Sequence, residues 1–400
     1  MAKNSNTLKV LEFSQYKRFS DKERLKIKPV TLLVGKNSSG KSSITKLLPV
    51  IAKSMSGDLR RSVMQLDTDG VSLGVSYQSL CHNGNSTGLE FGVSYSNGVR
   101  ISASLIANSK DEIEIFNYVV DCDGKSVKLK IDEDHTSYIN IDNGEKYSTT
   151  DFSGLVNEKF LGDNGINADF SFNTDYIGPL RCEPERTTYY KGTELSDNVG
   201  PKGDNAYQLL CADERLTTIV SEWFEKNFDG CHLRVVQGGE KGAYMIQMNK
   251  PDNGSYWVNI ADEGMGMSQI LPIVVRCMHP VENSIVVIEQ PELHLHPAAH
   301  ESLAKLFATT SKTNKQSYIV ETHSENILLG IREAVVDSNI DFNPEDVIIY
   351  FVDEDENVAF LTDITIDSDG MLSDWPEGVF NESYDILNKI IEKASKHKKS

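Results

Sequence analysis

The chain has 400 residues, of which 39% are hydrophobic and 25% are charged, and its formal net charge is −19. This composition is ordinary for a globular protein and allows two or three domains. No apolar run approaches the roughly 18 residues of a membrane span, and the N-terminus lacks the apolar segment of a secretory signal. Six widely spaced cysteines without a C-x-x-C pair favour free thiols, so we expect a cytoplasmic protein without membrane contact.

The charge is unevenly distributed along the chain. Residues 1–61 contain 14 Lys and Arg but only 4 Asp and Glu, whereas the remainder is strongly acidic. A nucleotide site explains part of this basic excess, and a nucleic-acid surface or an ordinary solvated face would produce the same imbalance. Nucleic acid therefore stays open as a partner.

Residues 35–42, GKNSSGKS, match the phosphate-loop pattern G-x-x-x-x-G-K-[ST] in full. Strands are predicted at 7–13 and 30–34 and a helix at 42–55, which is the strand–loop–helix context that the pattern requires. Lys41 would reach the β- and γ-phosphates of a nucleotide, and the Ser42 hydroxyl would bind Mg²⁺. The predicted nucleotide-binding residues here are Gly35, Lys36, Asn37, Ser38, Ser39, Gly40, Lys41, Ser42 and Ser43.

Residues 70–175 have a different character. Short alternating segments such as VSLGVSY, GLEFGVSYS and VRISASLI are separated by turn sequences such as SNG and CDGK. Alternation with such turns predicts antiparallel hairpins. We therefore expect an antiparallel β region inserted after the first helix.

The C-terminal half alternates apolar strands with helices, which predicts a parallel sheet covered on both faces. A helix over 203–228 closes at Asp229-Gly230 and is followed by the strands HLRVVQ and AYMIQMN. The later predicted elements are a helix at 267–279, a strand at 284–290, a helix at 298–310, a strand at 317–323, a helix at 324–336 and a strand at 346–352.

Three segments in this half carry candidate chemistry. In ADEGMGMSQ, Gly266 precedes Ser268 and Gln269. Ser268 is expected to be the N-cap of the following helix, and the free backbone N–H groups there would bind an anion. A helix cap without anion binding explains the pattern equally well. Glu289 ends the strand IVVIE, where phosphate-loop proteins place a carboxylate for Mg²⁺. His323 ends the strand YIVETH, where it would contact a γ-phosphate or play a structural part.

The order of these segments resembles that of ABC-class ATPase heads, in the branch of the SMC, Rad50 and RecF proteins and the overcoming-lysogenization-defect ATPases. GKNSSGKS resembles their Walker A segment, EGMGMSQ their signature, IVVIEQPELHLHP their Walker B segment and ETHS their switch histidine. YIGPLR…PER (176–186) and DITIDSDGMLSDWPEGVF (363–380) are similar to segments of small bacterial ATPases that are commonly found beside anti-phage effectors.

The resemblance implies an α/β fold, a P-loop ABC-type head with a mostly parallel central sheet and the inserted antiparallel region. It implies ATP and Mg²⁺ as cofactors and a head-to-tail homodimer or higher even oligomer, with nucleotide between Lys41 of one copy and Gly266, Ser268 and Gln269 of the other. It further implies control of a separate nuclease or toxin. The expected units are 1–69 (Walker A), 70–175 (inserted region), 176–352 (signature, Walker B and switch histidine) and 353–400 (small C-terminal unit).

Two residues depart from the usual pattern of these heads. Glu289 stands where Asp is common, and Gln290 stands where the catalytic Glu is common. A carboxamide orients water but does not accept its proton near neutral pH. Glu292 and His323 therefore remain candidates for the base, slow hydrolysis is expected, and a non-hydrolysing ATP-locked scaffold or a DNA-repair ATPase are the alternatives.

Further basic residues have open roles. Arg181 and Arg186 would bind phosphate, relay a signal or form structural salt bridges. In the resembling heads the region of residues 15–21 lies beside the adenine. Arg18 or Phe19 would then stack on the base, or the stretch would be a surface hairpin.

Overall fold

The computed structural model of the protein describes residues 6–374 except 60–62, 86–87, 193–195, 252–253 and 255. Residues 375–400 therefore lie outside the described residues, and they include the end of the segment 363–380 and the end of the expected C-terminal unit 353–400. In the described part, the α-helices are α1 (Lys41–Met55), α2 (Glu158–Asp163), α3 (Asn205–Ala212), α4 (Glu214–Asn227), α5 (Met265–Met278), α6 (Pro297–Thr313) and α7 (Glu325–Val336).

A six-stranded sheet forms the centre of the fold. Its strands, in the order in which they pair, are β12 (Thr174–Ile177), β17 (Ile285–Glu289), β18 (Ser317–Glu321), β3 (Val30–Gly35), β19 (Val347–Asp355) and β20 (Val358–Ile364). The first five are parallel, and β20 returns antiparallel to β19. The predicted, mostly parallel sheet is confirmed, and one strand, β18, separates the phosphate-loop strand from the Walker B strand.

The antiparallel region is also confirmed, but it is larger than the sequence predicts. Its eight strands pair in the order β11 (Lys146–Ser148), β10 (Ser137–Asn140), β9 (Lys125–Ile131), β8 (Ile113–Cys122), β7 (Arg100–Ala107), β6 (Glu90–Tyr95), β1 (Leu8–Ser14) and β2 (Glu23–Lys26). Because β6 pairs with β1, strands on both sides of the predicted boundary at residue 70 share one sheet. The expected strand 71–77 is wrong beyond its first two residues: β5 (Val71–Ser72) pairs only with β4 (Asp67–Thr68).

A third, small antiparallel sheet flanks the helices. It contains β13 (Thr188–Tyr189), β14 (His232–Gln237), β15 (Ala243–Asn249) and β16 (Val258–Asn259). The single helix predicted over 203–228 is instead two helices, α3 and α4. They separate at Asp213 because its carboxylate accepts hydrogen bonds from the backbone N–H groups of Arg215 and Leu216 and so starts a new helix.

Two apolar cores cover the two faces of the central sheet. Along β3, Leu33 packs into the core shared with α1 and the eight-stranded sheet, whereas Leu32 and Val34 pack into the core shared with helices α3–α7. This alternation follows from the two-residue period of a strand. All six cysteines are unpaired. None of the helices in the described ranges combines the length and apolarity needed to cross a bilayer.

Candidate nucleotide site

The phosphate loop joins β3 to α1 in the predicted way. Gly35 has a φ of 145°, and a Cβ at this position would collide with the carbonyl oxygen of Val352, so only glycine fits. Gly40 is the N-cap of α1 and supplies no side-chain cap, which leaves the first backbone N–H groups of the helix available. The loop residues Lys36, Asn37 and Ser38 are exposed. The arrangement is an open helix N-terminus suited to an anion.

Lys41 begins α1, and its side chain lies under the loop. The residue is only 3% exposed, and its Nζ donates hydrogen bonds to the carbonyl oxygens of Gly35 (2.9 Å) and Lys36 (2.6 Å). Burial lowers the pKa of this ammonium group, and the nearby charge of Glu321 opposes that shift. Two of its three hydrogens serve the loop, so one donor remains for a phosphate.

The strand order brings two carboxylates together beside this loop. Glu289 at the end of β17 and Glu321 at the end of β18 are paired in register, and Glu321 is also opposite Leu33 of β3. Both carboxylates are buried. Glu321 was not among the predicted site residues, although its place at the end of an apolar strand is the signal that identified Glu289.

The two carboxylates bind different hydroxyl groups of α1. Ser42 Oγ donates to both oxygens of Glu321, at 3.1 and 2.9 Å, and Thr45 Oγ1 donates to Glu289 Oε1 at 2.5 Å. Of the predicted metal pair, Ser42 is therefore hydrogen-bonded to Glu321, while Glu289 is hydrogen-bonded to Thr45. Burial, reinforced by the charge of Glu289, raises the pKa of Glu321 to about 7, while the hydrogen bond from Ser42 opposes the rise.

This donor set fits a hard divalent cation. A serine hydroxyl and carboxylates are the oxygen ligands that Mg²⁺ prefers, with phosphates and water completing its shell. Among the described residues, there is no group of three or more His, Cys, Asp or Glu arranged to hold a metal by itself. A cation here would need ligands from a nucleotide, as is usual at phosphate-loop sites.

The turn after β17 is fixed to the end of β18. Gln290 has a φ of 45°, and its backbone N–H donates to the carbonyl oxygen of Glu321 at 2.7 Å. Glu292 Oε1 accepts a hydrogen bond from the backbone N–H of His323 at 2.7 Å. The structure thus brings three predicted residues, Gln290, Glu292 and His323, to the same end of the sheet as the phosphate loop.

The signature segment starts α5, but the predicted cap is wrong. Gly264 is the N-cap, and Ser268 lies inside the first turn, where its hydroxyl donates to the carbonyl oxygen of Met265 at 2.9 Å. The helix begins two residues earlier than predicted because Gly264 takes the extended cap conformation. Ser268 and Gln269 are each 4% exposed, and Gly266 allows close approach, since a Cβ there would lie 2.8 Å from the carbonyl oxygen of His294.

The remaining basic and aromatic candidates have distinct places. Phe19 is fully buried, and its ring lies 3.1 Å from where a Cβ of Gly40 would be, so it supports the loop and is not available to stack on a base. Arg18 donates to the carbonyl oxygen of Ser38 and pairs with Glu354 at 2.9 Å. Arg186 forms an exposed pair with Asp262.

One family model matches the part of the chain that carries three of the predicted segments. Residues 208–328, which include the signature, Walker B and His323 segments, match the family model described as "AAA ATPase domain". Over these residues the chain is similar to an AAA ATPase domain. The match agrees with the predicted ATPase head, and the phosphate loop lies outside the matched residues. Residues 342–390 match a second family model, "Protein of unknown function (DUF3696)". No curated protein matches the chain.

Solved structures similar to this chain include heads of SMC proteins. One is an SMC head bound to the C-terminal winged-helix domain of ScpA (16% identity, 90% of this chain and 98% of that chain, TM-score 0.47). Another is the SMC head domain from Thermotoga maritima (12% identity, 89% and 98%, TM-score 0.40). A third is a Pyrococcus furiosus SMC head with an extended coiled coil, bound to the C-terminal domain of ScpA (13% identity, 96% and 99%, TM-score 0.45).

Proposed function

We propose that this protein binds Mg²⁺–ATP at the loop 35–43 and hydrolyses it slowly. The observation that carries the proposal is the junction at the sheet end, where Ser42 of the phosphate loop is hydrogen-bonded to Glu321 and the Glu289 carboxylate lies on the adjacent strand. Ser42, Glu289 and Glu321 would hold the cation, which when bound neutralises charge on the phosphates. Lys41 and the uncapped amides of α1 would bind the phosphate oxygens.

The turn 290–292 supports slow turnover. The carboxamide of Gln290 has no hydrogen bond to any described residue, so it is available to orient a water molecule. It does not accept a proton near neutral pH, and Glu292 is already engaged with the backbone of His323. The carboxamide at Gln290 also favours the second candidate function, an ATP-locked scaffold without hydrolysis. Measuring phosphate release from ATP distinguishes this scaffold from a slow ATPase.

We further propose that the protein works as a head-to-tail homodimer, or a higher even oligomer, that regulates a separate effector such as an anti-phage nuclease or toxin. The uncapped start of α5, with Gly266, Ser268 and Gln269, would face the nucleotide bound by the partner copy. The buried side chains of Ser268 and Gln269 would hold this helix end in shape, so the backbone N–H groups would make the contact. Support for the effector comes from the sequence resemblance.

Lys41→Ala tests the site. Removing a buried ammonium group that donates to phosphates should weaken ATP binding by about 100-fold, since hydrogen bonds to charged groups contribute about 1.5–3 kcal/mol each. The matched control is Lys53→Ala at the other end of α1, where Lys53 pairs with Asp58. Isothermal titration calorimetry provides the measurement, and unchanged affinity in Lys41→Ala would refute the site.

A mixing experiment tests the dimer. Met265 is the first residue of α5 and is 53% exposed, so Met265→Glu keeps the fold and places a negative charge where a partner's phosphate would bind. Lys41→Ala and Met265→Glu homodimers each have two defective sites, whereas the heterodimer concentrates both changes in one site. Mixing should restore part of the ATP turnover or ATP-dependent dimerisation. Absence of recovery, with subunit exchange demonstrated by labelled chains, contradicts the head-to-tail arrangement.

A further inference from the structure

Arg181 contacts two parts of the nucleotide site at once. The residue is only 6% exposed. Its Nη2 donates hydrogen bonds to the backbone carbonyl oxygens of Glu289 (2.8 Å) and Gln290 (3.2 Å), at and just after the end of β17. Its backbone pairs with the carboxamide of Gln269, whose Oε1 accepts from the Arg181 N–H and whose Nε2 donates to the Arg181 carbonyl oxygen, both at 3.3 Å. One residue therefore joins the end of the Walker B strand to the signature helix.

The guanidinium group has donors that these contacts do not use. Nε and Nη1 are buried and have no partner among the described residues, and the same is true of Glu292 Oε2. Burial lowers the pKa of Arg181 to about 10, while the charges of Glu292 and Glu289 oppose the shift, so the group is charged at neutral pH. Leaving such donors unsatisfied costs about 1–3 kcal/mol or more, which a merely structural residue would not be expected to retain.

A second contact connects the same two segments. The carbonyl oxygen of His294, in the turn after β17, lies so close to Gly266 of α5 that no side chain fits between them. His294 itself has a φ of 65°. The start of α5 therefore packs directly against the Walker B turn. A shift of that turn would displace the helix, because closely packed elements transmit displacement.

We propose that Arg181 is a positioning residue that couples the Walker B turn to the signature helix of the same subunit. This inference rests on the proposed function, in which Gln290 orients water at one nucleotide and the start of α5 faces the other. When γ-phosphate repositions the turn, the carbonyl oxygens held by Arg181 move, and its backbone pair with Gln269 carries the movement to α5. After this movement, the unused donors Nε and Nη1 of Arg181 would bind the unpartnered Oε2 of Glu292.

Hydrogen–deuterium exchange tests the coupling without requiring hydrolysis. In the wild type, ATP should slow exchange both in the turn 289–295 and in the helix start 264–270. In Arg181→Met, which keeps the length but removes the charge and donors, ATP should protect the turn alone. Arg186→Met is the matched control, because Arg186 lies five residues away in an exposed pair with Asp262 and touches neither segment. ATP-dependent protection of both segments in Arg181→Met would refute the coupling.

Kinetics and chemical rescue separate positioning from general stability. Arg181→Met should keep ATP affinity within about 3-fold while kcat falls by about 100-fold, as expected when a reacting group is misplaced by about 1 Å. In Arg181→Ala, millimolar guanidinium chloride should restore part of the turnover by refilling the vacated site, whereas sodium chloride should not. A loss of affinity equal to the loss of turnover, or no rescue in a folded Arg181→Ala protein, would overturn the proposal.

Gln269→Leu tests the same coupling by removing the carboxamide on α5 that pairs with the backbone of Arg181. This variant keeps the proposal testable if the Arg181 variants do not fold. It should reproduce the loss of ATP-dependent protection at 264–270, and wild-type protection in this variant would refute the coupling. Failure of the proposed function would give a different experimental result. The wild type would then bind no ATP in calorimetry, and Lys41→Ala would be indistinguishable from it.

Discussion

Glu321→Gln should stabilise the nucleotide-free protein at alkaline pH. Glu321 is 3% exposed, is opposite Glu289 in register and has a pKa raised from 4.5 to about 7 by burial and by that neighbouring charge. The folded state therefore binds the proton more tightly than the unfolded chain does. The contribution of Glu321 to the free energy of unfolding therefore falls as pH rises from about 4.5 to about 7, and the full penalty persists at higher pH.

The magnitude follows from the size of the pKa shift. A rise of about 2.5 units corresponds to about 3 kcal/mol of destabilisation above pH 7, at 1.36 kcal/mol per unit. Glutamine removes the buried charge but keeps an oxygen that accepts the hydrogen bond from Ser42. The variant should therefore be more stable than the wild type by about 3 kcal/mol at pH 8 and nearly equal to it at pH 4.5.

Urea unfolding at these two pH values measures the difference, with Glu325→Gln on the exposed start of α7 as the control. Saturating Mg²⁺–ATP should reduce the advantage of the variant at pH 8, since a bound cation favours the charged carboxylate. An advantage that is equal at both pH values would refute the reasoning, because it could not arise from titration of this carboxylate.

Two further predictions concern the other end of α5 and the water-orienting position. Arg276 is fully buried and donates to Asp175, which is 1% exposed, so Arg276→Met should lower the free energy of unfolding by about 3–5 kcal/mol, and the added change Asp175→Asn should recover part of it. Urea unfolding of the single and double variants checks this, and a double variant no more stable than the single one would contradict it. Gln290→Glu should raise ATP turnover by about 10-fold or more if this residue faces the attacking water, because it introduces a general base. Phosphate release measures this, and unchanged turnover would assign the base elsewhere.

The phosphate loop and the parallel sheet could be predicted from the sequence because their signals are local. Residues 35–42 match a pattern in which each position has a backbone or phosphate-binding reason, and β3 and α1 appear within one residue of their predicted bounds. The apolar strands 285–289, 317–321 and 347–355 were equally recognisable, because strands buried on both faces read as continuous apolar runs. Composition and local pattern were sufficient for these features.

The partners of the site residues were decided only by the tertiary structure. Which carboxylate meets Ser42 depends on strand order, and β18 between β3 and β17 places Glu321 there while Glu289 meets Thr45. The break at Asp213 and the cap at Gly264 were missed for a related reason, since several residues in each segment are acceptable caps and packing selects among them.

Arg181 shows the same division between local and long-range information. In the sequence, Arg181 is one of two nearby arginines, and no local pattern shows which of them is buried at the site. Folding buries Arg181 against two carbonyl oxygens at and just after the end of β17 and against the carboxamide of Gln269, all more than 80 residues away, and it leaves Arg186 at the surface. Contacts of that range depend on how helices and strands pack, because no local pattern encodes which distant groups will meet a given side chain.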